Sequence, residues 1–377
     1  MDKKSLKNLS ILITSLGGGG AERVVSILAE GLQLYYNVTL VLMDDTIIYD
    51  LPKNIKVKYL NKSSRKSSKF IKVLSLPYFG WKYSKLCKKL EIDFSLSFMY
   101  RPNFINVIGK FFNSKIKCVI SERNTASLTY TDKNIEGIIG RFLIRWLYPK
   151  SDLIIPNSYG NSTDLIENFY INPDKIQVIH NPLNFEKIYE KSKKPVKDVN
   201  FKSKFTFISV GRLFPHKNHE LTIRAYSKIA TSNTQLLILG TGDLKPRLES
   251  LIKELGLENN IKLIGFTKNP YKYLSKSDCY ILSSSREGFP NSLLEALSCG
   301  ISVISSDCKS GPREILQDGK LGDLYDVGDQ IGLEKLLLKR IKNIEEKKST
   351  RERNMKRLKE FDLNHILRRY DKALQQI

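Results

Sequence analysis

Glu287-Gly288-Phe289-Pro290-Asn291-Ser292-Leu293-Leu294-Glu295 lies between an apolar run, Cys279-Tyr280-Ile281-Leu282, and a helical pattern that Gly300 closes after Cys299. The apolar run ends in Ser283-Ser284-Ser285, so the segment reads as a strand, a loop and a short helix over Leu293 to Cys299. One carboxylate sits on the loop; a second follows eight residues later, in the expected first turn of the helix. A helix N-terminus offers unpaired N–H groups and the positive end of the dipole, which suits phosphate. A carboxylate accepts two O–H bonds, which suits vicinal hydroxyls. Together these fit a nucleotide sugar. A plainer reading stands beside this one. Ser292-Leu293-Leu294-Glu295 also has the form of a capping box, in which Glu295 satisfies a backbone N–H, and Glu287 is then an ordinary loop acid.

Upstream, the same half repeats strand and helix. Phe205 to Val210 is a strand followed by Gly211-Arg212-Leu213 and by Lys217; Leu236 to Leu239 is another, ending in Gly240-Thr241-Gly242. Ile261 to Ile264 leads into Gly265-Phe266-Thr267, a helix is expected near 269–276, and Ile301 to Ile304 leads into Gly311-Pro312-Arg313-Glu314. Arg212 and Lys217 lie five residues apart, just past a strand's carboxyl end. A forked guanidinium and a point-charge ammonium together suit a diphosphate. From about Gln330 the chain reads as helical and charged, with Phe361, Leu363, Ile366 and Leu367 as its apolar side.

The first half has the same alternation. Residues 9–16 form a strand, Gly17 to Gly20 a glycine loop, Ala21 to Tyr36 a helix, and Asn37 to Met43 a second strand. Strand, helix and strand in this order imply a parallel sheet. The loop is a poor dinucleotide fingerprint, because Glu22 stands where a third glycine or alanine belongs, which weakens an NAD-type reading. The four glycines allow either close backbone approach to a partner or a turn with positive φ. Ile55 to Tyr59, Phe94 to Phe98, Cys118 to Ser121, Leu153 to Pro156 and Ile176 to His180 complete the strands. Several end in polar clusters, including Arg101-Pro102-Asn103 and Glu122-Arg123-Asn124; in an open α/β sheet such ends face the ligand crevice. Glu122 and Arg123 could equally pair with each other. Residues 186–200 are polar and Lys-rich without an apolar period, and mark the domain boundary.

With 377 residues, two domains are expected. No apolar stretch is long enough to cross a bilayer, and the short apolar run near the N-terminus reads as a strand, not a signal peptide. Five scattered cysteines with no ligand spacing to the four histidines suggest a reduced, cytosolic protein without structural zinc. The net charge of +23 is uneven: residues 51–150 hold 21 Lys/Arg against five Asp/Glu. Nucleic acid, anionic lipid and a merely solvated Lys-rich surface all fit that charge. The chain lacks the aromatic pattern of an RNA-binding sheet and any helix-turn-helix pair, so no nucleic-acid partner is expected. Two basic, aromatic segments suit a bilayer interface. The first runs from Lys62, Arg65 and Lys66 through Lys69, Lys72, Trp81, Lys82 and Lys85 to Lys89; the second, Gly140 to Lys150, holds Arg145 and Trp146.

Gly211-Arg212-Leu213, Lys217-Asn218, Gly240-x-Gly242, the Glu287 to Glu295 stretch and Gly311-Pro312-Arg313-Glu314 together resemble the donor half of family-4 retaining glycosyltransferases. Ser15 to Val25, Arg101-Pro102-Asn103, Tyr148-Pro149-Lys150, Pro156-Asn157-Ser158 and Asn269 to Tyr273 resemble, more narrowly, bacterial N-acetylgalactosaminyltransferases that build undecaprenyl-diphosphate-linked glycans for protein N-glycosylation. Related O-antigen, capsule and lipopolysaccharide enzymes, using UDP-Gal, UDP-Glc or UDP-GlcNAc, share most of these motifs.

The resemblance implies an α/β GT-B fold: two Rossmann-like domains, 1–185 and 200–358, facing each other across a cleft, with a C-terminal helix at about 360–377 on the first. It implies that Arg212 and Lys217 hold the donor diphosphate and that Glu295 takes the ribose diol. Glu287 holds the sugar hydroxyls, with backbone N–H groups near Phe289, Pro290, Asn291 and Leu294. Phe266 and Thr267 meet the base, and Gly18 and Gly19 close on the phosphates. Arg101, Asn103, Glu122 and Arg123 would meet the acceptor. Many relatives carry a histidine where this chain has Arg123, which puts that histidine's role in doubt here. The expected partners are a UDP-sugar, a polyprenyl-diphosphate-linked acceptor and an anionic membrane surface, at the cytoplasmic face of the inner membrane. No Asp-x-Asp motif in strand context is present, so no metal or cofactor is expected; cations and a helix dipole can replace one.

Overall fold

The computed structural model describes residues 6–61, 69–201, 204–343 and 354–377, apart from the side chains of Lys69 and Phe70. Lys62, Arg65 and Lys66 of the first basic segment lie outside the described residues. The chain divides into two compact units, Met1–Pro182 with Leu363–Ile377, and Leu183–Asp362.

Unit 1 is built on strands β1 (Asn8–Ile13), β2 (Asn37–Leu42), β3 (Lys56–Tyr59), β4 (Phe94–Phe98), β5 (Lys117–Glu122) and β6 (Leu153–Pro156). All pair in parallel, in the order β3-β2-β1-β4-β5-β6. Parallel strands need crossovers, helices cover both faces, and the central strands are therefore buried throughout instead of alternating. β4 shows this: all five of its residues are buried, including Ser95 and Ser97. Their hydroxyls are not wasted. Tyr83 bridges Ser10 (2.6 Å) and Ser95 (2.5 Å), and Ser95 donates to Asn106 Oδ1 at 2.6 Å. Buried polar groups persist only when paired in this way.

Unit 2 repeats the plan with β7 (Phe205–Val210), β8 (Thr234–Leu239), β9 (Ile261–Gly265), β10 (Cys279–Leu282), β11 (Ser302–Ser306) and β12 (Asp323–Tyr325), again all parallel, in the order β12-β11-β10-β7-β8-β9. The strand order reverses between β7 and β10. The loops leaving their carboxyl ends diverge to opposite sides and open a crevice there.

Three expectations from sequence are corrected. Ile176 to His180 is not a strand. Gln177 N–H donates to the Ile154 carbonyl and Ile179 N–H to that of Pro156, both at 3.0 Å, but only one bridge forms. The return bond of a parallel ladder would have to come from the nitrogen of Pro156, which carries no hydrogen. Residues 186–200 are not featureless either: a helix spans Phe185–Ser192, with Asn184 Oδ1 accepting from Lys187 N–H at 2.9 Å, and it buries Ile188. Helix 21–36 in turn shortens to Gly20–Gly31 plus a 3-10 turn at Leu32–Leu34.

The C-terminal helix Leu363–Gln375 belongs to unit 1 and buries Ile366, Leu367, Tyr370, Ala373 and Leu374, one stripe at helical spacing. Leu367 fills the space over Gly31, where a Cβ would come within 2.5 Å of it. Tyr36 OH donates to Asp371 at 2.7 Å. Leu367→Ala should therefore destabilise unit 1 by about 2–5 kcal/mol. Both tryptophans, Trp81 and Trp146, lie in this unit, so urea unfolding followed by tryptophan emission reports it directly. An unchanged midpoint would mean that the helix is not integral to the unit.

Candidate active site

The crevice loops of unit 2 carry Arg212, Lys217 and Glu287, and bring Lys217 and Glu287 into contact. Gly211 to Leu213 leaves β7 and is strapped to the loop after β8: Leu213 N–H donates to the Thr241 carbonyl at 2.9 Å and Leu244 N–H to that of Leu213 at 3.1 Å. Gly240 is glycine because a Cβ there would lie 1.8 Å from the Gly211 carbonyl oxygen. Arg212 is exposed and stacks on Phe214, its guanidinium 5.0 Å from the ring centre. The chain then makes a 3-10 turn, Pro215–Lys217, and turns through Asn218 in the left-handed region (φ 50°) into helix His219–Ser227. Asparagine tolerates that conformation better than most residues.

Lys217 Nζ lies 2.5 Å from Glu287 Oε1, an ion pair with side chains 17% and 11% exposed. Ser284 Oγ donates to the same oxygen at 2.6 Å. The Glu287 backbone is fixed on both sides, donating to the Lys309 carbonyl at 2.9 Å and accepting from Ser310 N–H at 2.8 Å. His216 is pushed down to about 4 by burial, then by the charge of Lys217; His219, wholly buried behind the loop, is pushed down to about 4 for the same reasons in the same order. Both imidazoles are neutral at physiological pH, so the local positive charge is that of Arg212, Lys217 and Arg286.

The helix after Glu287 spans Asn291–Ser298, and its N-cap is Pro290, without a side-chain cap. The capping-box reading is thereby corrected. Ser292 lies inside the helix and its hydroxyl accepts from Tyr280 OH at 2.7 Å. Glu295 sits in the second turn, not the first, and is 5% exposed. Phe289 and Leu294 are core side chains; Phe289 packs edge-on against Phe361 at 5.5 Å. Pro290 has no N–H to offer, and the Leu294 N–H donates to the Pro290 carbonyl at 3.4 Å. Phe266 is exposed at the end of β9, and Thr267 beside it caps the turn by accepting from Asn269 N–H at 3.1 Å.

In unit 1, Gly18 has φ 102° and Gly19 N–H donates to the Glu22 carboxylate, so Glu22 holds the glycine loop's exit into its helix. Arg101 is half-buried, stacked on Phe79 (5.2 Å) and donating to Ser75 Oγ at 3.3 Å. Asn103, Glu122 and Arg123, expected as acceptor contacts, are instead buried with partners inside the unit. Asn103 bonds Ser97, the Ser121 carbonyl and Tyr148. Glu122 accepts from Tyr148 OH (2.8 Å) and from the N–H groups of Arg123 (2.8 Å) and Asn124 (3.2 Å). Arg123 does not pair with Glu122 through its side chain. Its guanidinium donates to Asn181 (2.8 Å) and to Tyr370 OH on the C-terminal helix (2.9 Å), and it lies over Phe98.

Sequence reading missed Ser284, Tyr280, Tyr148 and Tyr370. Three serines closing an apolar strand were the available signal for the first. Tyr148 stood in a quoted motif, but its partner and those of the other tyrosines were not legible, because a buried hydroxyl's partner is set by tertiary structure.

Among the described residues, no group of three or more His, Cys, Asp and Glu could hold a metal ion, and no helix is long and apolar enough to cross a membrane.

Residues 18–187 match the model of Glycosyltransferase Family 4, and residues 190–357 that of Glycosyl transferases group 1. The chain is 41% identical, over 96% of its length and 98% of the relative's, to the Campylobacter jejuni N-acetylgalactosamine-N,N'-diacetylbacillosaminyl-diphospho-undecaprenol 4-alpha-N-acetylgalactosaminyltransferase. It is 25% identical, over 99% of both chains, to that organism's GalNAc-alpha-(1->4)-GalNAc-alpha-(1->3)-diNAcBac-PP-undecaprenol alpha-1,4-N-acetyl-D-galactosaminyltransferase. Among solved structures, Anabaena HepE in complex with UDP-glucose superposes with a TM-score of 0.81 at 18% identity, covering 98% of this chain and all of that one (100%). The fold is thus GT-B.

Burial raises the Glu122 carboxyl to about 7, against hydrogen bonds from Tyr148, Asn124 and Arg123 that lower it; nearby Asp164 raises it further. The folded state therefore holds this proton more tightly than the unfolded chain does. Stability from this group is fullest below its ordinary value of 4.5 and is lost as pH rises toward 7. Melting temperatures of Glu122→Gln and the parent protein, compared from pH 5 to 8, should diverge with pH, the variant losing less stability as pH rises. Parallel curves would show that Glu122 does not titrate there.

Proposed function

The chain belongs to glycosyltransferase family 4, and we propose on that footing that it transfers N-acetylgalactosamine from UDP-GalNAc to an undecaprenyl-diphosphate-linked saccharide, with retention at the anomeric carbon. The observation that carries the donor half is the Lys217–Ser284–Glu287 assembly at the β7/β10 switch point, directly ahead of helix Asn291–Ser298. The acceptor reading is supported by the nearly full-length likeness to the Campylobacter jejuni enzyme.

In this reading Arg212 and Lys217 receive the donor diphosphate and stabilise the charge that grows as the glycosidic bond breaks. The dipole of helix Asn291–Ser298 adds to them. Glu287 orients the sugar hydroxyls, Glu295 takes the ribose diol, and Phe266 and Thr267 border the base. The departing sugar has oxocarbenium character; the acceptor hydroxyl enters on the face the diphosphate leaves, and the diphosphate takes its proton. The cations do the work a metal would otherwise do, and the reaction needs none. Arg101, half-buried at the end of β4, is the residue offered to the acceptor.

Offered a panel of UDP-sugars and polyprenyl-diphosphate acceptors, the enzyme should favour UDP-GalNAc, and EDTA should leave the rate unchanged. Lys217→Ala should lower kcat by about 10²–10³ while the melting curve shows the fold retained. Preference for UDP-Gal, UDP-Glc or UDP-GlcNAc would move the enzyme to the lipopolysaccharide and capsule branch. Turnover by Lys217→Ala at the parent rate would sink the assignment of the site.

We also propose that unit 1 docks on the anionic cytoplasmic surface of the inner membrane, as a peripheral protein. Ile71, Leu74, Tyr78 and Trp81 are exposed on helices Lys69–Leu74 and Leu76–Lys89, with Lys85 4.1 Å over the Trp81 ring and Lys72 and Lys82 beside them. Ile138, Phe142 and Trp146 are exposed on helix Ile135–Leu147, where Trp146 meets Phe111 at 6.0 Å and Arg145 lies over Tyr170. Rings at headgroup depth with cations on phosphates is the interfacial pattern. The protein should float with phosphatidylglycerol-rich liposomes, and charge reversal at Lys82, Lys85 and Lys88 should abolish flotation. Undiminished flotation would overturn the docking face.

A further inference from the structure

The ion pair between Lys217 and Glu287 joins two long, flexible side chains, and something shorter must set their geometry. The carboxyl end of β10 does so. Ser283 Oγ lies between the carbonyls of Lys217 and Asn218, 2.9 and 3.0 Å away, and donates to them; Thr222 Oγ1 donates to Ser283 Oγ at 2.8 Å. Ser284 Oγ donates to Glu287 Oε1 at 2.6 Å, while its own carbonyl accepts from Ser306 Oγ at 2.6 Å. Ser285 N–H donates to the His216 carbonyl at 2.8 Å. Thr222, Ser283, Ser284 and Ser306 are all buried, so water does not compete for these bonds.

We propose that this serine rack, and Ser284 within it, is a positioning device for the transfer reaction. Ser283 and Ser285 fix the loop that carries Lys217; Ser284 fixes the acid that faces it. The terminal torsion of a glutamate is broad and roughly two-fold, so an ion pair alone leaves the carboxylate free to rotate. A second, charge-assisted bond to the same oxygen, from a hydroxyl rooted in the sheet, removes that freedom. The acid and the ammonium are then held at a spacing set by β10 and not by their own side chains, as preorganised electrostatic stabilisation requires. The inference rests on the donor reading above. A merely structural serine would support the fold and nothing more, and the two roles separate in kinetics.

The test is Ser284→Ala, with UDP affinity by calorimetry, steady-state kinetics with UDP-GalNAc, and thermal melting. UDP lacks the transferred sugar that Glu287 orients, so its affinity should stay within about twofold, as should donor KM, while kcat falls about tenfold to a hundredfold, the range a charge-assisted hydrogen bond carries. In a Glu287→Ala background the same substitution should change kcat by less than about twofold, because a residue acting through another adds nothing once that other is gone. Three results overturn the proposal: parent kcat in Ser284→Ala, a parallel fall of kcat, UDP affinity and melting temperature, or an equal effect in both backgrounds. A parent protein that binds no UDP would instead overturn the donor reading and this proposal with it.

Discussion

A parallel sheet cannot be closed by hairpins, and this constraint underlies everything else in the molecule. Each unit starts its chain in the middle of a sheet, winds outward, returns and winds the other way. The return leaves one place where neighbouring strands send their loops apart. In unit 2 that place is the junction of β7 and β10, and the two loops it frees carry Arg212, Lys217 and Glu287. Lys217 and Glu287 there pair across a separation of 70 residues in sequence. Strand order supplies the proximity before any side chain contributes.

Topology alone does not supply orientation. Lysine has four rotatable bonds and glutamate three, and a surface pair of this kind is worth little. Here the pair is largely withdrawn from water, and its backbone supports are short bonds to buried hydroxyls. The neutral state of His216 and His219 belongs to the same design. Were either protonated, it would add a like charge beside Lys217, and burial prevents this. The site therefore keeps a fixed number of cations across the physiological pH range.

How legible was this in the sequence? The alternation of apolar runs with helical periods gave the parallel sheets, because buried strands and their crossovers leave strong local patterns. That Arg212, Lys217 and Glu287 lie on loops at strand ends was legible because motif spacing along a loop is itself local. The failures all involve information held elsewhere. Ile176 to His180 has the composition of a strand but pairs with Pro156, whose missing N–H ends the ladder. Ser292 has the spacing of a capping residue, yet its hydroxyl is taken by Tyr280 from the sheet beneath. The helix at Phe185–Ser192 buries one residue, too few to leave a period.

Arg123 shows the same limit from the other side. By sequence it stands at the end of a strand, and position suggested contact with a ligand. The structure makes it a brace: one guanidinium ties the end of β5 to Asn181 and to Tyr370 on the C-terminal helix. A histidine has two ring nitrogens and a shorter reach, and could not span both partners while lying over Phe98. Arg123 thus couples the end of β5 to the last helix of the chain, which Leu367 and Tyr370 anchor from the apolar side. Glu122, one residue earlier, is held by Tyr148 and the adjacent backbone and not by Arg123. The two neighbouring charges serve separate networks, and a substitution at Arg123 should be read first as a loss of anchorage of the C-terminal helix.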